Sequence, residues 1–262
     1  MLARQLEDDP DAALALLAEL TTATDEALRA RARRLAARIV LDRTRTGRTL
    51  LRGTGRPRLV PASRGGDLDL DASFDAVVGA HAEARAPHLD DLLARDWGRP
   101  ELALCLLVDD SGSMTGERLA RAAMIAAACA LRAPAEHAVL AFARDVRPLR
   151  RVTETLPPET VVERVLRLRG HGITALASAL KAGAETLAAT RATRRVLVLL
   201  SDCRATDEQD PVPVAAAIPE LVILAPGSDS DAAAALAAAS GARWGAFDHV
   251  DAAPALLEEL LG

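Results

Sequence analysis

Residues 102–113, Leu-Ala-Leu-Cys-Leu-Leu-Val-Asp-Asp-Ser-Gly-Ser, constrain the fold more than any other stretch of the chain. Seven consecutive apolar residues predict a strand that is buried on both faces, as in a parallel sheet. The polar residues that follow lie at the carboxyl end of that strand, where open α/β sheets keep their binding crevice. Asp109, Ser111 and Ser113 alternate with other residues, so a carboxylate and two hydroxyls can converge on one point. Such a set suits a hard cation better than a proton-transfer or nucleophilic site.

Apolar strands and helical segments alternate along the chain from residue 102 onwards. The patterns predict strands at 102–108, 138–142, 146–152, 195–201, 221–225 and 243–247. They predict helices at 117–132, 158–168, 175–190, 211–217, 229–240 and 252–261. Repeated alternation of this kind predicts an α/β domain with a mostly parallel sheet and helices on both of its faces.

The chain upstream of this domain divides into two further predicted parts. Residues 1–45 form an N-terminal helical segment, residues 46–99 a connector with a short helix, and residues 100–262 the α/β domain. Gly, Arg, Thr and Pro dominate residues 44–66, which favours a loop or extended chain. An extended piece then leads into a helix at about 73–85, with Ser73 or Asp71 as its N-cap.

An arginine-rich segment runs from Arg29 to Arg58, with eleven arginines and one acid, Asp42. One interpretation is a solvated helix face followed by a basic linker. The alternative is a docking surface for an acidic partner. Nucleic acid is disfavoured because no aromatic residue is interleaved and the whole chain carries a net charge of −5.

Composition narrows the remaining classes of function. Aromatic residues make up 2% of the chain, which argues against base-stacking nucleic-acid platforms. The N-terminus has no apolar signal core, and no apolar run is long enough to span a bilayer. The three cysteines show no zinc or CxxC spacing, so we expect small buried hydrophobes in a reducing cytosol. These observations predict a cytoplasmic protein without membrane contact.

Two later loops should reach the crevice that residues 109–113 are predicted to occupy. One is Gly170-His171-Gly172-Ile173-Thr174, which offers a hydroxyl at the entrance to a helix, and the other is Ser201-Asp202 at the end of a strand. Together the three loops supply two carboxylates and three hydroxyls. This all-oxygen set selects Mg²⁺, Mn²⁺ or Ca²⁺ over zinc or copper. With only two formal negative charges around it, the ion would accept an outside carboxylate at an open position.

The ordered set of Asp109-x-Ser111-x-Ser113, Thr174 and Asp202 resembles the metal-ion-dependent adhesion site (MIDAS) of the von Willebrand factor A (VWA) domain. The resemblance covers about residues 100–262 and implies a Rossmann-like, doubly wound fold. It also implies a divalent ion, Mg²⁺ with Mn²⁺ or Ca²⁺ as alternatives, held by these five residues. The function it implies is non-enzymatic: the ion accepts an acidic residue of a partner protein.

Within that family the chain looks most like bacterial cytoplasmic members. These are often partnered with MoxR-type AAA+ ATPases or act as chelatase-like subunits, so the resemblance implies such an ATPase as a partner. The chain departs from the family pattern at Ala175, where many relatives carry Asp or Asn, and at Cys203, where Gly is common. Both positions adjoin ligands and could alter the geometry of the site. Asp110 should point away from Asp109, either supporting the site from behind or facing solvent.

Two other interpretations of these residues stay open at this point. Asp109 and the two serines after it could form a turn with helix caps. Alternatively, a Mg²⁺-dependent phosphatase of the haloacid dehalogenase type would use Asp109 as nucleophile, with Lys181, Asp202 and Asp207 in supporting roles. Such phosphatases want a second Asp at the position of Ser111, which disfavours this alternative.

Overall fold

The computed structural model describes residues 57–64, 67–97, 102–112, 116–170, 172–249 and 252–262. These residues divide between two compact units, one within 49–101 and the other running from Leu102 to Gly262. The predicted helical segment 1–45 lies outside the described residues, as does nearly all of the arginine-rich segment. The predicted domain boundaries therefore stay predictions.

The smaller unit contains a three-stranded antiparallel sheet. Its elements are β1 (Pro57–Pro61), a 3₁₀ turn (Ala62–Arg64), β2 (Asp67–Leu68), α1 (Leu70–Ala82) and β3 (Leu93–Trp97). The strand order is β1-β3-β2. Of the two alternatives predicted for residues 44–66, the stretch that forms β1 is extended and not a loop, because it pairs with β3 along its whole length.

Helix α1 begins three residues earlier than the sequence predicts. Its N-cap is Asp69, whose Oδ1 accepts a hydrogen bond from the backbone N–H of Ala72 at 3.1 Å. Ser73 and Asp71 are therefore wrong as caps. Ser73 is instead buried against the sheet, where its Oγ donates to the carbonyl of Leu93 at 3.0 Å and accepts from its N–H at 2.8 Å.

The larger unit contains six strands and six helices within the described residues. Its strands are β4 (Leu102–Asp109), β5 (Glu136–Phe142), β6 (Val146–Arg150), β7 (Arg194–Leu200), β8 (Leu221–Pro226) and β9 (Arg243–Phe247). Its helices are α2 (Gly116–Arg132), α3 (Pro158–Val165), α4 (Leu176–Ala188), α5 (Val212–Ala216), α6 (Asp231–Ser240) and α7 (Ala252–Leu261). Every strand and helix predicted after residue 102 is present, with its ends displaced by at most three residues.

The sheet of the larger unit has the strand order β6-β5-β4-β7-β8-β9. All neighbouring strands are parallel except β6, which pairs antiparallel to β5 at one edge. The chain winds outward in one direction from β4 and then in the other from β7, so the fold is doubly wound. This arrangement confirms the predicted α/β class with a mostly parallel sheet.

Strand β4 lies at the centre of the sheet and is covered on both faces. Leu104, Leu106 and Val108 pack into a core formed with α2, α3 and α7. Cys105 and Leu107 pack into a second core formed with α4, α5 and α6. Residues 103–108 are at most 1% exposed, which explains why the strand has no alternation of polar and apolar residues.

All three cysteines are buried and free, as the sequence predicts for small hydrophobes. Burial raises the pKa of the Cys129 and Cys203 thiols to about 12. Burial also raises the pKa of the Cys105 thiol in the central strand. The three side chains therefore stay protonated at neutral pH and pack as apolar groups.

Helix α4 approaches the sheet closely at Gly183. A Cβ added at Gly183 would lie 2.5 Å from Cδ1 of Leu197 and 3.3 Å from Cδ2 of Leu107. Gly183→Ala should therefore lower the free energy of unfolding by about 1–3 kcal/mol in urea denaturation. The loss should shrink in a Leu197→Val background, which removes the nearest methyl. An equal loss in both backgrounds would show that this contact is not the cause.

Candidate functional site

The candidate site lies at the carboxyl edge of the sheet, where the winding reverses between β4 and β7. The parallel register pairs Val108 with Leu200, so the next residues, Asp109 and Ser201, adjoin each other at this edge. Asp202 follows directly in the loop after β7. Ligand sites of doubly wound sheets form in this crevice because the loops from the two strands diverge there.

Three of the predicted ligand residues form one hydrogen-bonded group. Oδ1 of Asp109 accepts hydrogen bonds from the backbone N–H of Ser111 at 2.9 Å and from its Oγ at 2.5 Å. Oγ1 of Thr174 donates to Oγ of Ser111 at 2.7 Å. The structure thus brings together oxygens from two loops that are 63 residues apart in sequence.

Asp202 lines the same pocket as Asp109 and is half-buried. Its Oδ1 accepts a hydrogen bond from the backbone N–H of Arg204 at 3.0 Å. Ser113, the remaining predicted ligand, lies outside the described residues. The structure therefore places four of the five predicted residues at the site.

The environment of Asp109 disfavours its ionised form. Burial raises the pKa of this carboxyl, and the negative charge of Asp202 raises it further. Hydrogen bonds from Ser111 and Ser201 act in the opposite direction without cancelling the effect of burial. The hydrogen bonds thus offset only part of the cost of burying the charged carboxylate. A cation beside Asp109 and Asp202 would offset the rest by stabilising their charged forms.

The neighbouring oxygens lie at hydrogen-bond distances, 2.5 Å between Oδ1 of Asp109 and Oγ of Ser111 and 2.7 Å between the hydroxyls of Ser111 and Thr174. Small shifts would bring them to the separation of about 2.9 Å between adjacent ligands of octahedral Mg²⁺, whose bonds are about 2.0–2.1 Å long. Within the described ranges, no group of three or more His, Cys, Asp or Glu could hold a metal ion. A cation here would therefore depend on the hydroxyls as well as the carboxylates.

Ser201 is a site residue that the sequence interpretation left out of the ligand set. Its Oγ donates to Oδ2 of Asp109 at 2.5 Å and accepts from the backbone N–H of Cys203 at 2.9 Å. Asp109 is thus held through both carboxylate oxygens. The parallel pairing of two adjacent strands could have predicted this contact, since both strands were identified and end at the same edge.

Thr174 is fixed by the loop that follows β7. Its backbone N–H donates to Oγ1 of Thr206 at 2.7 Å, and the N–H of Thr206 donates to the carbonyl of Thr174 at 3.2 Å. The N–H of Ala175 donates to the carbonyl of Ala143 at 2.9 Å. The backbone therefore holds this loop at Ala175, the position where the family resemblance leads us to expect Asp or Asn.

Asp110 points away from Asp109, as predicted, but the alternative that it faces solvent is wrong. It is 2% exposed and forms an ion pair with Arg147 of β6. Its Oδ1 also accepts a hydrogen bond from the backbone N–H of Gly170 at 2.9 Å. Asp110 thus links the end of β4 to the start of the loop that leads to Thr174.

Cys203 adopts the left-handed backbone conformation, with φ of 62°. This conformation costs an ordinary residue about 1–2 kcal/mol and is favourable for glycine, which is common here in the VWA pattern. The substitution of Cys for Gly therefore keeps the backbone shape at some cost in strain. The Cys203 side chain packs into the core beside α4.

The comparison with protein families gives a match over most of the chain. The profile of the family described as VWA domain containing CoxE-like protein covers residues 17–256 of the 262. The comparison with curated proteins gave no match.

The comparison with solved structures gave matches at low sequence identity. The PilB minor pilin from Streptococcus sanguinis matches with a TM-score of 0.50 and 12% identity, over 64% of this chain and 63% of its own. An aerotolerance-related membrane protein from Bacteroides fragilis matches with a TM-score of 0.49 and 15% identity, over 61% of this chain and 98% of its own. A von Willebrand factor type A structure from Catenulispora acidiphila matches with a TM-score of 0.47 and 19% identity, over 64% of this chain and 43% of its own. This chain thus spans less than two thirds of two of these proteins, and at such identities the likeness concerns the fold alone.

The family match favours the VWA interpretation over the phosphatase alternative. The structure adds that Lys181, the lysine such a phosphatase would need, is solvent-exposed on α4. Ser111 occupies the position of the expected second acid and donates its hydroxyl proton to Asp109.

The raised pKa of Asp109 generates a prediction for the protein in EDTA. Folding raises this pKa above its ordinary value of 3.8. The free energy of unfolding should therefore decrease as the pH rises from 3.8 to the folded-state pKa, and it should stay at the lower value above that pH. Asp109→Asn should therefore unfold at higher urea concentration than the wild type at pH 7, and this gain should vanish near pH 3. The exposed acid Asp145, changed to Asn, is the control and should show no such gain. An Asp109→Asn protein less stable than wild type at pH 7 would contradict the prediction.

Proposed function

The chain belongs to the family of CoxE-like proteins that contain a VWA domain, and from this premise we propose that the domain binds Mg²⁺ and, through it, an acidic residue of a partner protein. VWA domains are generally protein-interaction modules without catalytic activity. The proposed ligands are Asp109, Ser111, Ser113, Thr174 and Asp202, with Mn²⁺ and Ca²⁺ as alternative ions. The observation that carries the proposal is the convergence of Asp109, Ser111 and Thr174 oxygens beside Asp202.

The bound ion would supply a positive charge that a carboxylate from outside the chain can reach. Only two of the proposed ligands are charged, so the protein leaves part of the ion's charge uncompensated. That charge would make an acidic side chain the favoured partner group. Neutral hydroxyl ligands thus favour binding of an external acid over tight closure of the site.

The surrounding residues hold the proposed ligands in place. Ser201 fixes Oδ2 of Asp109 while Ser111 contacts Oδ1. Thr206 fixes the backbone of Thr174 through two hydrogen bonds. Such support reduces the reorganisation needed when a ligand binds, which is why changes in residues behind a metal site often weaken affinity by about 10–100-fold.

Thr174→Val tests the metal site, with Thr190→Val as its matched control. Both threonines are 5% exposed, and each hydroxyl donates a hydrogen bond of 2.7 Å, Thr190 to the carbonyl of Leu187. Calorimetric titration with Mg²⁺ should show binding about tenfold weaker or more in Thr174→Val and unchanged in Thr190→Val. Saturating Mg²⁺ should also raise the stability of the wild type, by about 2.7 kcal/mol at 100 times Kd.

Equal Mg²⁺ affinity in the wild type and Thr174→Val, or no Mg²⁺ binding by the wild type, would contradict the proposed site. The urea midpoint of each variant serves to check the fold. Both variants lose one buried hydroxyl hydrogen bond, so their stabilities in EDTA should fall by similar amounts.

The proposed partner class is a MoxR-type AAA+ ATPase, on the basis of the family resemblance. The arginine-rich segment 29–58 would make a second, metal-independent contact with an acidic surface. A cytoplasmic location stays a prediction. None of the helices in the described part of the chain has the length and apolar composition needed to cross a bilayer.

Affinity purification from the source cells separates the two proposed contacts. The full chain and an Asp109→Ala variant serve as baits in Mg²⁺, and the full chain serves again in EDTA. Proteins bound through the ion should disappear with EDTA and with Asp109→Ala, whereas proteins bound through the arginine-rich segment should persist. If every captured protein resists both treatments, metal-dependent partner binding is wrong.

A further inference from the structure

The pocket that Asp109 and Asp202 line also has walls that take no part in the proposed metal site. Asp109, Ser201 and Asp202 form one side of this pocket. Its remaining walls are mostly apolar and consist of Val108, Leu200, Pro226 and Phe247. The proposed metal ligands and the apolar walls therefore share one cavity.

The size of the cavity limits what can enter it. Its volume is about 50 Å³, whereas a single water molecule needs about 10–15 Å³ on this measure. The space suits the branched end of a Val, Leu or Ile side chain. Apolar walls hold water poorly, so an aliphatic group that replaces the water gains free energy.

Two arginines of α2 complete the lining. Arg118 is exposed, and Arg121 is fixed because its Nη2 donates to the carbonyl of Asp248 at 2.6 Å and its guanidinium lies 5.8 Å from the centre of the Phe247 ring. The Nε of Arg121 is buried without a hydrogen-bond partner. The two positive charges disfavour basic residues beside the pocket.

We propose that the partner's recognition motif is an acidic residue directly flanked by a small aliphatic residue, whose side chain fills the pocket formed by Val108, Leu200, Pro226 and Phe247. This inference rests on the proposed function, because the acidic residue is the one that the ion would bind. The pocket then supplies the specificity that a single charge contact lacks, since any exposed acid could reach the ion.

The proposed metal site and the apolar pocket are continuous, which favours an acidic residue with an aliphatic neighbour as the occupant. Asp109 and Asp202 belong both to the proposed ligand set and to the lining of the pocket, so a residue next to the metal-bound acid would lie at the pocket mouth. The positive charge of Arg118 and Arg121 matches an acidic segment. An apolar group without an acid would leave the proposed ion without a carboxylate from the partner.

A phage library of nonapeptides tests the motif. Each peptide carries a fixed central Glu and random neighbours, and the full chain is screened in Mg²⁺ and in EDTA. Val, Leu or Ile should be enriched at one position beside the Glu in Mg²⁺ alone. In a synthetic peptide from the enriched set, replacing that aliphatic residue by Ala should weaken binding about tenfold or more.

Variants of Leu200, which is half-buried at the pocket wall and is not a proposed metal ligand, link the preference to the pocket. Leu200→Ala enlarges the space and should shift the enrichment toward Phe and Met. Leu200→Phe fills the space and should remove the aliphatic preference while acid-dependent binding in Mg²⁺ persists. Leu200→Met conserves volume and should keep the wild-type preference.

The outcomes separate this inference from the proposed function. Mg²⁺-dependent binding of acidic peptides with no aliphatic preference would overturn the motif and leave the metal-dependent function standing. A preference that is unchanged in Leu200→Ala and Leu200→Phe would also overturn it. If no peptide is enriched in Mg²⁺ over EDTA and calorimetry shows no Mg²⁺ binding, both the proposed function and the motif are wrong.

Discussion

The parallel pairing of β4 with β7 is the constraint on which the rest of the structure depends. It runs from Leu102 opposite Arg194 to Val108 opposite Leu200, and it forms where the winding of the sheet reverses. Helices cover both faces of these strands, so their interior can consist of apolar residues alone. Polar side chains are then confined to the strand ends. The same pairing that buries the core therefore brings Asp109 beside Ser201, in the crevice where the proposed metal ligands lie.

Burial makes that crevice suited to binding and unfavourable for an isolated carboxylate. The pKa of Asp109 is raised chiefly because the group is desolvated, although Ser111 and Ser201 donate hydrogen bonds to it. A metal-free site thus contains a group that lowers the stability of the fold, which is a common property of functional sites. The hydroxyls reduce this cost and hold the carboxylate in a fixed orientation. A cation would remove the remaining cost, which links ion binding to the stability of the whole domain.

Much of the larger unit could be predicted from sequence because each element there has a strong pattern. The apolar run before Asp109 marks a central strand, and the polar residues after it mark the crevice. The small antiparallel sheet was missed because β1 and β2 are short and lie in a stretch rich in Gly, Pro and Arg. The sequence does not predict the ion pair of Asp110 or the hydrogen bond from Ser201 to Asp109, because both are tertiary contacts. The burial of Asp110 depends on Arg147, which lies 37 residues away and shows no pattern of its own.

The two departures from the VWA pattern show how the fold can keep a site while changing the residues behind it. At Ala175 the backbone bond to Ala143 holds the loop without the Asp or Asn side chain that the resemblance predicts there. At Cys203 the left-handed conformation is kept, although glycine would adopt it with less strain. The N–H of Cys203 donates to Ser201, and Ser201 in turn donates to Asp109. Because the donor is a backbone N–H, this chain of contacts depends on the left-handed conformation at position 203 and not on the side chain there.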